Sequence, residues 1–485
     1  MVSEIIVKAR AAQRQWEKLP YGEKAKKLKK AARFLGRSVD EIARVIHEDN
    51  GKLALDALAT EVLPAILAMD FYIKNGRKFA RSRAIKGRSL LMFNKTSRTV
   101  FKPYGVVGII SPWNYPFAIP FSEVIMALLA GNAVILKTAS VTPNVGRMIA
   151  RIVADADLPE GLFAYVEMPG KEAGPAFIEG GIDKLFFTGS TATGRELMAL
   201  ATPRLLPLVL ELGGADAAIV RADADLDRAA AGLIWAGFSN AGQSCGGVQR
   251  VLVHRSVFAL FLEKLRGLTE NLHEGVDMGP MTTLKQKQTV QRQIDACLAK
   301  GAKIAAKSQS TEDGNLMPAM ILTDVTDDMP IMREEIFGPV LAVISVNDDE
   351  EALRIANSSA YGLTGSVWSR NRRAARLLAA RVNAGAVMIN DHLMSHGLAE
   401  TPWGGFGDSG LGKTHGEFGF REMLKAQVVV DDFLPAVKRN LWWQPYSERV
   451  YAGIRAIVEL LTGGLLSKIK ALPSVLRIFF RYWEK

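Results

Sequence analysis

Hydrophobic positions in the first hundred residues repeat at helical spacing. Apolar side chains three or four residues apart occur at Ile42, Val45, Ile46, Leu53, Leu58, Val62 and Ile66. Such a period predicts amphipathic helices. From Val106 the pattern changes to short continuous apolar runs, among them 106–110 and 133–136, which are separated by helix-like segments such as 144–154. Strand signals that alternate with helix signals predict an α/β fold with a parallel, helix-covered sheet.

At least two domains are expected along this chain. Its 485 residues exceed the size at which one hydrophobic core keeps growing. A similar alternation runs from residue 217 to about residue 390, so the boundary is predicted near Glu211–Gly214. The longest uncharged stretch, residues 103–122, is interrupted by prolines and glycines, and it would not span a bilayer as one continuous helix.

Composition is that of a globular protein from a reducing compartment. Hydrophobic residues make up 48% of the chain and charged residues 23%, as in ordinary folded domains. Two cysteines cannot form a disulfide framework, and the N-terminus shows no signal-peptide pattern. A cytoplasmic protein is therefore expected.

Positive charge is concentrated at the C-terminus. The net charge is +11, and residues 436–485 hold nine Lys or Arg against three Glu, which gives this segment +6. No nucleic-acid-binding module is recognisable along the chain, so nucleic acid is not an expected partner.

Cys245 is the first candidate for chemistry. It lies in residues 240–247, a run of small and amide residues that core packing does not require. These neighbours leave room for a substrate beside the thiol. A core thiol in a tight turn is the competing interpretation, because free cysteine is among the most buried residue types.

Several further motifs follow predicted strands. Asn114 lies in the loop after the first apolar run, and Glu211 ends the apolar strand 205–210, where it fits either a functional carboxylate or a loop charge. Residues 187–194 pass from a strand into a helix, and their amides and helix dipole would suit a pyrophosphate, although a plain helix cap fits as well. Glu334–Pro339 by itself fits a helix end.

Jointly and in this order, the motifs resemble the aldehyde dehydrogenase superfamily over roughly residues 8–435. The resemblance rests on Pro112-Trp113-Asn114, Lys137, the 187–194 turn, Glu211-Leu212-Gly213-Gly214, Gly242-Gln243-Ser244-Cys245 and Glu335-Ile336-Phe337-Gly338-Pro339. It implies a Rossmann-type cofactor domain, an α/β catalytic domain and a small bridging β element. These correspond to residues 1–85 with 104–212, residues 213–411, and residues 86–103 with 424–435, followed by a basic amphipathic extension at 436–485.

The resemblance also implies a covalent mechanism. Cys245, as a thiolate, would attack the aldehyde carbon, and the side-chain amide of Asn114 would hold the resulting oxyanion together with the Cys245 N–H. Hydride transfer leaves a thioester, and Glu211 matches the general base that activates water to hydrolyse it. The product is a carboxylic acid.

NAD or NADP is the implied cofactor. The residues that match cofactor-binding positions are Trp113, Lys137, Ser140, Gly189, Ser190, Gly194, Glu335 and Phe337. Ser140 stands where many NAD-preferring relatives have an acid. Because no carboxylate repels a 2′-phosphate there, NADP should be accepted, but no adjacent Arg indicates a firm preference for it.

The substrate pocket is expected to be roomy and moderately apolar. Tyr115 and Trp403 match aromatic wall positions of the family. Ser122 and Gly397 stand where the family often has bulky aromatic residues, and Ser244 and Gly246 keep both sides of Cys245 small. No Arg is placed for a substrate carboxylate. A medium-chain, long-chain or aromatic aldehyde is therefore favoured over a dicarboxylic semialdehyde.

The remaining histidines and the second cysteine have simpler interpretations. His392 and His396 are four residues apart, but the resemblance puts them in a loop near the substrate entrance, so no metal is expected. His415 is interpreted as a surface or packing residue. Cys297 lies on a predicted amphipathic helix and is most simply a core residue, although a disulfide with Cys245 stays open.

The C-terminal extension combines apolar and basic residues. Between Ser447 and Ala471 an apolar stripe lies on the side opposite Arg449, Arg455 and Lys468, and aromatic residues follow up to Trp483. The stripe consists of Val450, Ile454, Ile457, Leu461 and Leu465. An interfacial helix at 440–485 on an anionic membrane surface fits this pattern. A helix packed over a neighbouring subunit or over the tunnel mouth fits it equally, so peripheral membrane attachment stays open.

Two rival functions stay open as well. A CoA-acylating relative would keep the cysteine but typically lacks the general base, and a catalytically silent scaffold would need none of the motif residues. Relatives are dimers or tetramers in which a bridging strand, here expected at Val428–Phe433, joins a neighbour's sheet. A homodimer or homotetramer that acts on a small-molecule aldehyde is therefore expected.

Overall fold

The computed structural model describes residues 2–86 and 89–483. Residues 1, 87, 88, 484 and 485, which belong to the predicted segments 1–85, 86–103 and 436–485, lie outside the described residues. The chain divides into two compact units, residues 1–80 with 102–425 and residues 81–101 with 426–485.

The first unit begins with helices that bury one apolar face each. They are α1 (Val2–Trp16), α2 (Tyr21–Arg37), α3 (Val39–Asn50), α4 (Ala54–Ala57) and α5 (Leu63–Ala80). A π-helical turn, Leu58–Val62, joins α4 to α5. Two strands of a separate three-stranded sheet follow, β1 (Arg83–Ile85) and β2 (Lys95–Pro103).

The first large sheet is parallel apart from one short edge strand. Its strands are β3 (Val106–Ile110), β4 (Ala133–Lys137), β5 (Phe163–Tyr165), β6 (Lys184–Thr188), β7 (Leu208–Glu211) and the antiparallel β17 (Gly410–Leu411), in the order β17-β7-β6-β3-β4-β5. Its connecting helices are α6 (Ala118–Ala130), α7 (Pro143–Ala154), α8 (Gly170–Gly180) and α9 (Thr191–Ala201). All residues of β3, β4 and β6 are buried, which explains their unbroken apolar runs.

The second large sheet has the order β10-β11-β12-β9-β8-β14-β15, and only β10 is antiparallel to its neighbour. Its strands are β8 (Asp216–Val220), β9 (Val248–His254), β10 (Lys303–Lys307), β11 (Met320–Thr323), β12 (Val340–Val346), β14 (Thr364–Trp368) and β15 (Ala386–Ile389). The short strands β13 (Tyr361–Gly362) and β16 (Phe406–Gly407) pair with each other. The chain passes from the first sheet to the second at residues 212–215, between β7 and β8.

Helices cover this second sheet and complete the unit. They are α10 (Leu226–Phe238), α11 (Phe258–Glu270), α12 (Leu284–Ala299), α13 (Pro330–Arg333), α14 (Asp349–Ala356), α15 (Arg372–Ala379) and α16 (Met394–Gly397). The last helix of the unit, α17 (Gly416–Glu422), packs against α5 and α6 instead. Side chains from the strands and from α10, α11, α12, α14 and α15 form one continuous apolar core. Among the described helices, none has the length and hydropathy that crossing a membrane would require.

The second unit joins the three-stranded sheet to two helices. Strand β18 (Leu424–Asp432) pairs with β2, and α18 (Glu448–Thr462) and α19 (Leu465–Phe479) follow. The apolar stripe expected between Ser447 and Ala471 is divided between two helices, because Gly463–Gly464 ends one helix and begins another. As a result, Val450 and Ile457 of that stripe are buried, whereas Leu461 and Leu465 are exposed.

Candidate active site

The three candidate catalytic residues come together inside the first unit. Asn114 follows β3, Glu211 ends β7, and Cys245 precedes β9. The side-chain amide of Asn114 donates a hydrogen bond to the carbonyl of Gln243, two residues before the cysteine, at 3.1 Å. Glu211 and Cys245 line one small cavity. The carboxyl ends of parallel strands, where α/β proteins bind ligands, thus meet the cysteine loop.

The turn before Cys245 is conformationally strained. Asn240 and Ala241 both have a φ of 53°, in the left-handed region that non-glycine residues rarely adopt. Asp56 accepts a hydrogen bond from the Asn240 N–H at 3.1 Å, and the Asn240 side chain donates to the Asn114 carbonyl at 3.0 Å. A Cβ on Gly242 would lie 2.2 Å from the Gly338 carbonyl oxygen. Strain that is held in this way is typical of functional sites.

A buried ion pair is hydrogen-bonded to the backbone of the Asn114 loop and supports it. The Lys52 ammonium lies 2.5 Å from the Glu61 carboxylate, and both side chains are fully buried. Lys52 also donates to the Asn114 carbonyl at 2.9 Å, and Glu61 accepts from the Phe117 N–H at 2.7 Å. Sequence analysis missed this pair, because its members are nine residues apart and no local motif links them.

Replacing the cation of this pair should destabilise the protein. Lys52→Met leaves the Glu61 carboxylate buried without its counter-charge, which typically costs about 3–5 kcal/mol. We expect a loss of this size in the free energy of unfolding, measured by chemical denaturation. Lys52→Met/Glu61→Gln, which removes both charges, should recover part of it. A loss below about 1 kcal/mol in the single variant would contradict the supporting role of the pair.

The Cys245 thiol is partly exposed in the wall of a larger cavity. Burial raises the pKa of this thiol, and the nearby carboxylates of Glu335 and Glu211 raise it further. The resting group is therefore a thiol rather than a thiolate. Its proton has to leave before the sulfur can act as a nucleophile.

Glu211 is enclosed beside the Trp403 side chain. Burial raises the pKa of its carboxyl well above the usual value, Glu123 adds to this effect, and Lys413 and the Trp403 side chain oppose it. The small cavity that Glu211 shares with Cys245 has a volume of about 20 Å³, which accommodates one water molecule. A carboxylate whose pKa is raised is a stronger base, and beside such a space it can take a proton from water.

Sequence analysis did not predict that three further titratable residues would line the cavity beside Glu211. Glu123, His396 and His415 line the same small cavity. Burial raises the pKa of Glu123 to about 8 and lowers that of His396 to about 4. Glu123 had a signal in the sequence, since it is the one acid of the apolar helix α6.

Glu335 packs against the glycine pair that follows Glu211. Its carboxylate accepts a hydrogen bond from the Gly214 N–H at 3.1 Å, and a Cβ on Gly213 would lie 2.4 Å from it. Loss of solvent raises the pKa of Glu335 to about 8. A Cβ on Gly214 would meet the Cys245 carbonyl oxygen at 2.3 Å, so both positions require glycine.

Two aromatic residues stand beside this cluster. The rings of Trp113 and Phe337 meet edge to face with their centroids 5.4 Å apart. Phe337 has a φ of 53°, and Gln286 donates a hydrogen bond to its carbonyl at 3.1 Å. The structure thus places both predicted cofactor-side aromatics next to each other.

Lys137 and the start of α9 fit an anionic nucleotide. Lys137 ends β4, burial lowers the pKa of its ammonium, and among the described residues none accepts a hydrogen bond from it. Ser190 caps α9 by accepting from the Thr193 N–H, and Ser140 is exposed after β4. A Cβ on Gly189 would clash with the Phe187 ring at 2.5 Å. The N-terminus of α9 suits the pyrophosphate of NAD(P), and the available Lys137 ammonium can donate hydrogen bonds to the rest of the nucleotide.

Gly194 is buried one turn into α9. A Cβ there would lie 2.7 Å from the Leu212 side chain. We propose that it contributes to the cofactor site through close helix packing.

A cavity of about 550 Å³ leads to Cys245. Of the predicted wall residues, Tyr115, Ser244 and Trp403 line it, as do Gly246 and Gly397, whereas Ser122 is buried in α6 and does not. Further wall residues, which sequence analysis did not predict, come from the start of α4, the π-helical turn, α5 and α10. These lining residues are Leu53, Ala59, Leu63, Pro64, Leu67 and Trp235.

The cavity lining is mostly apolar. Asp56 and Asp277 are its acids, and no Lys or Arg among the described residues lines it. Large apolar side chains also remain exposed on the lining, with Leu55 at 77% and Val276 at 76% exposure. An uncharged apolar molecule fits such a cavity better than an anion.

Of the residues with simpler interpretations, Cys297 and His392 line neither of these two cavities. Cys297 is buried in α12, and both cysteines are free thiols. His392 is buried, with its Nδ1 2.8 Å from the Ser366 hydroxyl, and burial lowers its pKa to about 4. Within residues 2–86 and 89–483, no group of three or more potential ligands could hold a metal ion.

Known proteins resemble the chain over most of its length. The model of the aldehyde dehydrogenase family matches residues 1–429. A 4,4′-diapolycopene aldehyde oxidase from Methylomonas sp is 36% identical over 467 residues, 96% of this chain and 87% of that protein. A putative succinate-semialdehyde dehydrogenase [NADP(+)] from Mycolicibacterium smegmatis is 36% identical over 445 residues, 88% and 84% of the two chains.

Solved structures also resemble this chain in fold. The NAD+ complex of an aldehyde dehydrogenase from Bacillus cereus superposes with a TM-score of 0.84 at 32% identity, covering 89% of this chain and 88% of the other. An NADP-dependent enzyme from E. coli gives a TM-score of 0.85 at 29% identity, covering 89% and 90%. From its sequence and its fold alike, this protein belongs to the aldehyde dehydrogenase family and is an NAD(P)-dependent aldehyde dehydrogenase.

Proposed function

We propose that the protein oxidises a medium-chain, long-chain or aromatic aldehyde to its carboxylic acid through a thioester on Cys245. The observation that carries this proposal is the apolar cavity of about 550 Å³ that ends at the Cys245 thiol without a lining cation. The overall reaction consumes the aldehyde, water and NAD(P)⁺, and it yields the acid, NAD(P)H and a proton.

Cys245 acts as the nucleophile. Loss of its proton gives a thiolate, which attacks the carbonyl carbon and forms a carbon–sulfur bond. The negative charge that moves to the carbonyl oxygen is stabilised by the Cys245 N–H and by the Asn114 amide, one of whose two N–H bonds is not used by the Gln243 carbonyl. The strained turn at 239–242 fixes both groups before the substrate arrives.

NAD(P)⁺ supplies the acceptor for the hydride that leaves the former aldehyde carbon. We propose that Lys137 and Glu335 bind its riboses, and that Gly189 and Ser190 at the start of α9 bind its pyrophosphate. Trp113 and Phe337 would pack beside the nicotinamide, since their rings already form one wall. The exposed Ser140 leaves space for a 2′-phosphate, so both forms of the cofactor should be accepted.

Glu211 completes the cycle. As a carboxylate it takes a proton from water in the small cavity beside Cys245, and the hydroxide formed attacks the thioester carbon. The carbon–sulfur bond breaks, the acid leaves and the thiol is restored. This base argues against the CoA-acylating alternative, and the joint presence of Cys245, Asn114 and Glu211 argues against a silent scaffold.

The names of relatives point to two kinds of substrate. One relative is named for 4,4′-diapolycopene aldehyde and another for succinate semialdehyde. A carboxylate at the far end of the substrate would enter a cavity that holds Asp56 and Asp277 and no described cation. Burial of an unpaired charge is costly, so the cavity favours the apolar aldehyde.

A substrate panel tests the proposal directly. We expect decanal and benzaldehyde to be oxidised with a kcat/KM at least about 10-fold above that of succinic semialdehyde, since the latter would bury an unpaired carboxylate. The measurement is the formation of NADH or NADPH, and mass spectrometry of the product with and without CoA separates acid from acyl-CoA. Equal turnover of both substrate classes would contradict the proposed specificity.

We also propose that the protein is a homodimer or homotetramer. Strand β18 is an edge strand of the three-stranded sheet, and its Val428 and Val430 side chains are exposed. An exposed edge with apolar side chains is suited to pairing with another sheet.

A further inference from the structure

The C-terminal extension folds into a helical hairpin. The two-residue connection Gly463–Gly464 joins α18 to α19. A Cβ on Gly453 would lie 2.7 Å from Cβ of Ile478, so the helices pack closely where α18 meets the end of α19. One apolar stripe of each helix is used in this packing. The buried residues of the two stripes are Val450, Gly453, Ala456, Ile457, Ala471, Val475 and Ile478.

Each helix carries a second apolar stripe that is exposed. On α18 it consists of Tyr451, Ile454, Val458 and Leu461, and on α19 of Leu465, Ile469, Leu472 and Leu476, with Phe480 directly after the helix. Exposure is greatest at the tip of the hairpin, at 77% for Leu465 and 76% for Leu466. Of the 39 large apolar side chains exposed among the described residues, 14 lie between Trp442 and Trp483. An apolar surface this concentrated marks an interaction site.

Cations border the exposed stripes. The exposed cations of the hairpin region are Lys438, Arg449, Arg455, Lys468, Lys470 and Arg477. Its described acids are Glu448 and Glu459, of which Glu459 pairs with Arg455 at 3.3 Å. Arg481 is buried instead and donates to the carbonyls of Trp443 and Pro445. The surface is therefore apolar in the middle and positive at its border.

We propose that this hairpin docks on an anionic lipid bilayer. The outer stripes and the tip, residues 461–466, lie at the boundary between headgroups and acyl chains, and the bordering cations contact the headgroups. The exposed Trp442, Trp443 and Trp483 are suited to the same interfacial depth. Each helix has 15 residues, about 22 Å in length, and is too short to cross the hydrocarbon core.

A second copy of the chain is the competing occupant of this surface. Pairing the outer stripes of two copies would bring their bordering cations together with few acids to neutralise them. Such like-charge contacts oppose association, whereas anionic headgroups are complementary to the same cations. Lipid is therefore favoured over a copy of the chain, and this conclusion does not depend on the proposed substrate.

Vesicle binding by the full-length protein tests the proposal. We expect binding to phosphatidylcholine vesicles that contain phosphatidylglycerol, and much weaker binding to phosphatidylcholine alone. Leu465→Ser/Leu466→Ser should weaken binding by about 10-fold or more, because two apolar side chains no longer leave water. Lys468→Glu/Lys470→Glu should weaken it similarly, but only on the anionic vesicles. The control Leu205→Ser/Leu377→Ser, which alters exposed leucines of the first unit, should bind like the unaltered chain.

Light scattering and activity complete the test. All variants should oxidise a short water-soluble aldehyde at the unaltered rate, which shows that they are folded and keeps lipid binding separate from catalysis. Loss of lipid binding in the tip variant at constant molecular mass supports the proposal. Equal lipid binding by the tip variant and the control would overturn it. So would a tip variant that changes only the molecular mass, since the surface then joins copies of the chain.

Discussion

Cys245→Ala is expected to lower the steady-state rate of aldehyde oxidation by at least about 10⁴-fold, the loss typical when an enzyme nucleophile is removed. The thiol lies at the end of the apolar cavity, with the Asn114 amide beside its loop, and it is the proposed nucleophile. NAD(P)H formation with decanal measures the effect. Binding of the cofactor should persist, since none of the residues proposed to hold it is altered.

Cys297→Ala is the matched control. It removes the other thiol of the chain, which is 1% exposed in α12, and it should leave the rate within about 2-fold. Iodoacetamide should alkylate Cys245 and spare Cys297, because only the former is reachable from solvent. Substantial activity in Cys245→Ala would refute the covalent mechanism.

Glu211→Gln is expected to reduce steady-state turnover by about 10²- to 10⁴-fold while leaving the first turnover intact. The amide cannot take a proton from water, so the thioester on Cys245 accumulates after hydride transfer. Rapid mixing should therefore show a burst of NAD(P)H equivalent to the enzyme sites. Added hydroxylamine, which cleaves thioesters without a base, should restore part of the turnover.

The pH profile adds a second measure of Glu211. In the proposed mechanism this group acts as a carboxylate. Burial together with Glu123 holds its pKa well above the usual value, so kcat should fall as pH falls through that raised pKa. Glu123→Gln removes a like charge, and it should move this acidic limb to lower pH. The proposed role of Glu211 as the general base would be contradicted if Glu211→Gln gave no burst of NAD(P)H. It would also be contradicted if Glu123→Gln left the acidic limb of the pH profile at the same pH.

Much of the fold follows from the sequence because its central strands are buried on both faces. The apolar runs 106–110 and 133–136 become β3 and β4, and the helical pattern of 144–154 becomes α7. The end of α18 was harder to predict, because apolar residues continue at helical spacing across Gly463–Gly464. Two glycines in succession favour a break, and in the structure they outweigh the continuing stripe.

The candidate site is predictable only where residues lie in motifs. Asn114, Glu211 and Cys245 each stand in a distinctive local sequence, and the structure brings the carboxyl ends of β3 and β7 to the loop that precedes β9. The apolar wall of the cavity consists of helix residues such as Leu63 and Leu67, which look like ordinary amphipathic positions. Their role depends on contacts between distant parts of the chain, which one sequence alone does not reveal.

The buried pair of Lys52 and Glu61 has a consequence for how this enzyme can evolve. Either charge without the other is costly in a site that solvent does not reach, so single substitutions at these positions pass through an unstable intermediate. Among functional descendants of this chain the two positions should change together or remain unchanged. Their joint inheritance would then preserve the Asn114 loop even where the surrounding helices diverge.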